Sequence, residues 1–133
     1  WCLGSQYWSS HPHVRGYKAK YGILLDMVGG KNPVFPKEYF SVTFAGGLVD
    51  KIWNEADRLG YSNVFVNTRE GGITDDHYFV NTIAQIPTVD IIHYEKGSGF
   101  ISTWHTQEDV LENIEKSTLQ KVGEVLLSII YKE

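Results

Sequence analysis

The sequence predicts an α/β fold with a mostly parallel sheet flanked by helices. Apolar runs of strand length at 21–28, 62–68 and 86–94 alternate with segments whose apolar residues recur at helical spacing. The run YGILLDMV at 21–28 is near-continuously apolar, the pattern of a strand buried on both faces. No internal repeat or low-complexity stretch competes with this reading.

The elements follow in order. Residues 2–10 predict a helix with Leu3, Tyr7 and Trp8 on one side. HPHVRGYKAK is a polar connection broken by Pro12 and Gly16, with His11 and His13 at the surface. After the first strand, GGKNPVFPKEYF reads as an irregular loop carrying Pro33 and Pro36. Over 46–59, Leu48, Val49, Ile52, Trp53, Ala56 and Leu59 are spaced as a helix, stopped by Gly60. SNVFVNT is a short strand. GGITDDHYFVNTIAQ opens as a loop and becomes a helix near Asp76, with Thr74 or Asp75 as its cap. IPTVDIIHY is a strand and KGSGFIST a loop. From Gln107 the spacing predicts a helix to near the end, with Val110, Ile114, Leu119, Val122, Leu126 and Ile129 packed in the core.

At 133 residues the chain has the size of one domain, and 42% hydrophobic residues supply material for a core. A net charge of −4 without a basic stripe argues against nucleic acid as a partner. No apolar run approaches the roughly 18 residues of a membrane span. Cys2 stands alone, so no internal disulfide can form. The sequence carries no P-loop, GxGxxG, GxSxG or CxxC pattern.

Three places can carry chemistry. Asp26 ends an apolar strand, either as a turn-forming acid or as a group held for chemistry. Sites in open α/β sheets gather beyond the carboxyl ends of strands. Asp75 and Asp76, between Thr74 and His77, either cap a helix and meet its dipole or face a ligand. His105 follows a glycine loop beside Trp104, and a large aromatic in a loop is costly unless it lines something. Imidazole and carboxylate together suit a hydrolytic zinc site with an open position. That set is short of ligands, and no HExxH is present.

The ordered segments LLDMVGGKNPVFP, GGITDDH, IPTVDII and WHT, with an acid and a long helix after them, resemble the carboxyl-terminal half of the animal-type zinc-dependent glutaminyl cyclases. That family shares its fold with the zinc aminopeptidases, and the resemblance covers essentially the whole chain. It implies a zinc-exopeptidase-like α/β domain, here incomplete, with residues 1–133 as one fragment. It implies His105 as a zinc ligand. Asp26 would bind a second metal in the two-zinc aminopeptidases, or join a hydrogen-bonded acid network in the one-zinc cyclases. Asp75 would belong to that network and help a general base pass its proton. Trp104 and Phe100 would wall the substrate pocket, with Ile73 and Thr74 on its rim.

The remaining ligands and the base, an aspartate and a Glu-Glu pair, are expected upstream, and WCLGSQYW resembles the helix that follows that pair. The implied partners are peptide N-termini and the amino-terminal half of the same domain. The implied location is secreted or periplasmic. Two departures keep the aminopeptidase alternative open: a longer DDH-to-WHT segment, and Asp90 where the animal cyclases have histidine. The reading requires Asp26, Asp75 and His105 to converge at one rim of the sheet, with none of the three pointing into bulk solvent.

Overall fold

The computed structural model describes residues 1–132. Its centre is two pairs of parallel strands. Strand β1 (Gly22–Asp26) pairs with β4 (Thr88–Ile92), in a register that sets Gly22 opposite Thr88 and Asp26 opposite Ile92. Gly22 is required there, because a Cβ would meet the Thr88 hydroxyl at 2.7 Å. Strand β2 (Phe35–Glu38) pairs with β3 (Phe65–Glu70), with a register shift between Phe35 and Lys37. A bond from Tyr94 N–H to the Val34 carbonyl, 3.1 Å, joins the two pairs. A small antiparallel hairpin, β5 (Tyr94–Glu95) with β6 (Gly99–Phe100), follows β4.

Four helices cover this sheet: α1 (Leu3–Ser10), α2 (Tyr39–Arg58), α3 (Asp76–Phe79) and α4 (Lys116–Tyr131). The core lies between the sheet, α2 and α4. Phe35, Ile52, Val89, Ile91 and Val125 are fully buried in it. Trp53 reaches in from α2, and its indole N–H donates to the carbonyls of Val66 (3.1 Å) and Phe35 (3.3 Å). That indole bond satisfies a polar tip that burial would otherwise leave unpaired. Phe35 meets Phe65 and His93 ring to ring.

Several elements differ from the sequence expectation, each for a physical reason. The GGKNPVFPKEYF segment contains strand β2 and the start of α2. Pro36 is tolerated because β2 makes no pair through that residue, where the register shifts. Helix α2 begins seven residues before position 46, and Gly46–Gly47 follow a kink at Ala45 (φ −135°, ψ 34°) rather than the helix start. Glu38 caps its first turn, accepting from the Phe40 and Ser41 amides.

The long final helix begins at Lys116, not Gln107. Residues 107–115 instead turn, with a short 3-10 stretch at Leu111–Asn113, and the Glu115 amide is taken by the Gly29 carbonyl at 2.8 Å. Val110 and Ile114 therefore do not join the core, Leu111 is 81% exposed, and Leu119, in the first turn of α4, is also exposed rather than in the core. Strand β1 is only part-buried, with Leu25 43% exposed, because β4 is its one paired neighbour among the described residues. In α1, Leu3 and Tyr7 stand exposed. KGSGFIST supplies the turn and second strand of the hairpin rather than a plain loop.

Phe35→Ala, which empties the point where both strand pairs meet α2, is expected to lower unfolding free energy by about 3–5 kcal/mol. Urea denaturation followed by tryptophan fluorescence measures it, and a loss below 1 kcal/mol would mean that the core collapses around the gap.

Candidate active site

Strand β1 delivers Asp26 to its carboxyl end, where Met27 turns the chain in the left-handed region (φ 53°). Strand β3 ends at Glu70, and Gly71 (φ 80°) and Gly72 (φ 124°) bend the backbone as only glycine does without strain. The next residues, Ile73, Thr74 and Asp75, turn back toward Asp26. Asp75 is the cap of α3: its Oδ1 accepts from the Asp76 amide at 2.7 Å. Thr74 is not the cap. After β6, the chain folds Trp104 back over Phe100, their rings 4.6 Å apart.

These three segments enclose one open cavity of about 460 Å³. Asp26, Asp75, Ile73, Thr74, Phe100 and Trp104 all line it, together with Trp1, Gly71, Gly72 and Tyr94. His105 does not line it. Its ring is exposed, stacked flat on Trp104 with centroids 4.1 Å apart and an interplanar angle of 16°, and it adopts a left-handed backbone (φ 55°). A protonated His105 would lower the Asp26 pKa, as the hydrogen bond from the Met27 amide does. The two acids therefore share the cavity, while the imidazole lies outside it, exposed beside Trp104. A second cavity of about 500 Å³, at the start of α4 beside Lys31 and Lys121, contains none of the candidate residues.

The electrostatics are dominated by crowded carboxyl groups. Burial raises the Asp26 pKa, and Asp75 and Asp76 raise it further. The effect is stronger at Asp90, in the middle of β4 and fully buried. Burial first, then Asp75, Asp26 and Glu38, push its carboxyl up to about 9. Asp90 is therefore protonated at neutral pH. Glu38 is the opposite case. Burial alone would raise it, but hydrogen bonds from His77, Phe40, Ser41 and Ile73 hold it down at about 2. Charged-form hydrogen bonding here outweighs desolvation. His77 lies between the two, Nε2 3.1 Å from Glu38 and Nδ1 3.5 Å from Asp90.

Cys2 donates its S–H to Asp75 Oδ1 at 3.6 Å. Burial and the charges of Asp75 and Asp76 push the thiol up to about 12, so it remains a thiol and a donor. Sequence reading missed Cys2, Trp1, Tyr94 and Glu38. Glu38 lies in a segment read as loop, and no local pattern ties it to a residue 35 positions away.

The pattern of Peptidase family M28 matches residues 1–130. The chain belongs to that family. Over its full length it is 52% identical, at a TM-score of 0.97, to the glutaminyl cyclase of Bacteroides thetaiotaomicron solved with N-acetylhistamine, and it covers 46% of that chain. It is 49% identical, at a TM-score of 0.96, to a Zn-dependent exopeptidase of Parabacteroides distasonis, again covering all of this chain and 46% of the other. The glutaminyl-peptide cyclotransferase of Bothrops jararaca is 29% identical over 92% of this chain and 36% of its own length. The chain thus spans less than half the length of these relatives. Its fold is that of the glutaminyl cyclases and zinc exopeptidases, and the family is one of enzymes. No helix among the described residues is long and apolar enough to cross a membrane.

Asp90 tests the crowding directly. Its native pKa lies above its unfolded value, so the folded protein keeps a proton that the unfolded chain loses. Stability should therefore fall as pH rises from about 4 toward 9. Asp90→Asn, which cannot ionise, should flatten that fall and raise Tm at pH 8 relative to wild type. Thermal melts from pH 5 to 9 measure both curves, and parallel slopes would mean that Asp90 ionises normally.

Proposed function

We propose that the protein containing this chain is a zinc-dependent glutaminyl-peptide cyclotransferase, converting an N-terminal glutamine to pyroglutamate with release of ammonia. The observation that carries this is one cavity lined by two carboxyls and two aromatic rings in contact, with an imidazole stacked on one of them. The 52% identity to a glutaminyl cyclase supports it.

The donor types fit zinc in part. The His105 imidazole is exposed beside the pocket, its ring stacked on Trp104, with the Trp1 ring 6.2 Å away and tilted by 50°. Imidazole and carboxylate are its usual nitrogen and oxygen ligands. His105 would hold the metal, with the remaining ligands and the general base supplied by sequence beyond these residues. Bound zinc would act as a Lewis acid toward the glutamine side-chain carbonyl.

The chain's own residues would do the rest. Trp104 and Phe100 would pack along the substrate and exclude water, which favours attack by the substrate's own amine over hydrolysis. Ile73 and Thr74 would form the rim that the peptide crosses. Asp26, its pKa raised by burial and by the Asp75 charge, would with Asp75 keep a proton available to the base. The peptide N-terminus is the partner in this reading, and an exported location, secreted or periplasmic, goes with it.

The likeness to a Zn-dependent exopeptidase favours a second reading, an aminopeptidase. Asp26 would then bind a second zinc, and the same cavity would serve hydrolysis of the first peptide bond. Assay of the full-length protein on glutaminyl-peptide and leucine-amide substrates, with zinc counted per chain, separates the two. One zinc, with ammonia released from the glutaminyl peptide as pyroglutamate forms, is expected; two zincs with hydrolysis of leucine-amide to leucine and ammonia would overturn the cyclase. The 133-residue piece alone should bind zinc weakly and turn over neither substrate.

Within the full-length enzyme, His105→Ala should remove zinc and activity together. Asp75→Asn should leave zinc in place and lower kcat by roughly a hundredfold, the scale of an assisted proton transfer. Metal analysis beside steady-state kinetics reads both, and an unchanged kcat in Asp75→Asn would remove Asp75 from the proton path.

A further inference from the structure

Glu38 is 1% exposed and lies outside the cavity, yet its carboxylate collects five donors. The Phe40 amide (3.0 Å), the Ser41 amide (2.6 Å) and the Ser41 hydroxyl (2.8 Å) come from the start of α2. The Ile73 amide, at 3.0 Å, comes from the pocket rim. His77 Nε2, at 3.1 Å, comes from α3. A carboxylate can only accept, so the His77 Nε2 carries its proton toward Glu38. The Ser41 hydroxyl in turn accepts from the Asp90 amide at 2.9 Å, which ties the unit to β4.

The segment that Glu38 grips has little rigidity of its own. Gly71 and Gly72 both sit at positive φ, and β3 pairing ends at Glu70, opposite Glu38. Two consecutive glycines leave the backbone free to swing unless something fixes it. The carboxylate oxygen on the Ile73 amide fixes it from beneath, one residue before Thr74 and two before Asp75. The Glu38 Cγ also lies 3.8 Å from where a Gly71 Cβ would be, so the stem fills the bend.

We propose that Glu38 is a positioning residue, whose carboxylate pins the Gly71–Asp75 segment to the start of α2 and so sets the place of Ile73 and Thr74 on the pocket rim. Its catalytic consequence rests on the cyclase reading above; its structural consequence does not.

Glu38→Asp in the full-length protein separates the two roles of the carboxylate. Aspartate is a favoured helix cap, so the α2 start is retained, but the side chain is one methylene too short for Ile73. Exchange of the Ile73 amide, followed by NMR or by mass spectrometry of the 71–75 region, should quicken about tenfold or more, the scale of one lost hydrogen bond to a charged group. KM for a glutaminyl peptide should rise several-fold while kcat changes by less than about twofold, since rim contacts bind the ground state and the transition state alike. Ser41→Ala is the control. It removes the hydroxyl shared by Glu38 and Asp90, and should lower Tm without altering Ile73 exchange or KM. If Glu38→Asp does not fold, Glu38→Gln, equal in length but with one acceptor oxygen replaced by NH2, carries the same two readouts.

A folded Glu38 variant with wild-type Ile73 exchange overturns the proposal. So does faster exchange with an unchanged KM, or a Ser41→Ala variant showing the same changes. If the wild-type protein turns over no glutaminyl peptide, the cyclase reading fails, while Ile73 exchange still decides whether Glu38 fixes the segment.

Discussion

Asp90 is buried in β4 while Asp75, Asp26, Glu38 and Asp76 all act on it, and the surrounding structure has to accommodate that crowding. Five carboxylate charges gathered here would repel strongly, because a low-dielectric interior weakens their interaction far less than water does. The fold resolves the conflict by treating its acids unequally. Glu38 is kept ionised by five donors. Asp90 has no hydrogen-bonded donor for either oxygen and stays protonated. Asp26 lies between, half-buried at a strand end and shifted upward. His77 completes the arrangement. Its Nε2 donates to Glu38, and its Nδ1 lies 3.5 Å from the Asp90 carboxyl.

This polar interior also explains which parts of the molecule the sequence made legible. The alternation of strands and helices and the end of β1 at Asp26 follow from local periodicity. The start of α3 follows from cap preference, which leaves Thr74 and Asp75 as equal candidates, and the place of Phe100 beside Trp104 comes only from the family resemblance. Strand β2 escaped detection because two prolines and a lysine mask a four-residue element that is stabilised by its neighbours, not by its own composition. The end of the chain misled in the opposite direction. Val110 and Ile114 keep helical spacing, but the Gly29 carbonyl takes the Glu115 amide and the chain turns before the helix can start. The role of Glu38 could not be read, because its donors come from Phe40, Ser41, Ile73 and His77, brought together only by the parallel pairing of β2 with β3.

The same pairing explains how one scaffold serves relatives described both as glutaminyl cyclases and as zinc exopeptidases. Parallel strands deliver their carboxyl ends to one side of the sheet, so the acid at the end of β1 and the segment after β3 meet without any sequence proximity. What such an acid does next depends on what faces it. Beside a second metal, a carboxylate serves as a ligand. Beside other carboxyls and no second metal, it serves as a store for a proton.

The two walls of the cavity are held by different forces. The Gly71–Asp75 wall is fixed by hydrogen bonds to a buried carboxylate and by the cap of α3, interactions that weaken steeply when distance or angle changes. The opposite wall is built by rings: Tyr94 against Phe100, Phe100 against Trp104, and Trp104 against His105. Ring stacking is broad in geometry and tolerates sliding. The acids are thus placed by directional bonds and the aromatic face by adaptable ones. A site with this division can hold its carboxyls in one position while its apolar wall adjusts. The imidazole of His105 rides on the adaptable wall, stacked on Trp104 and exposed.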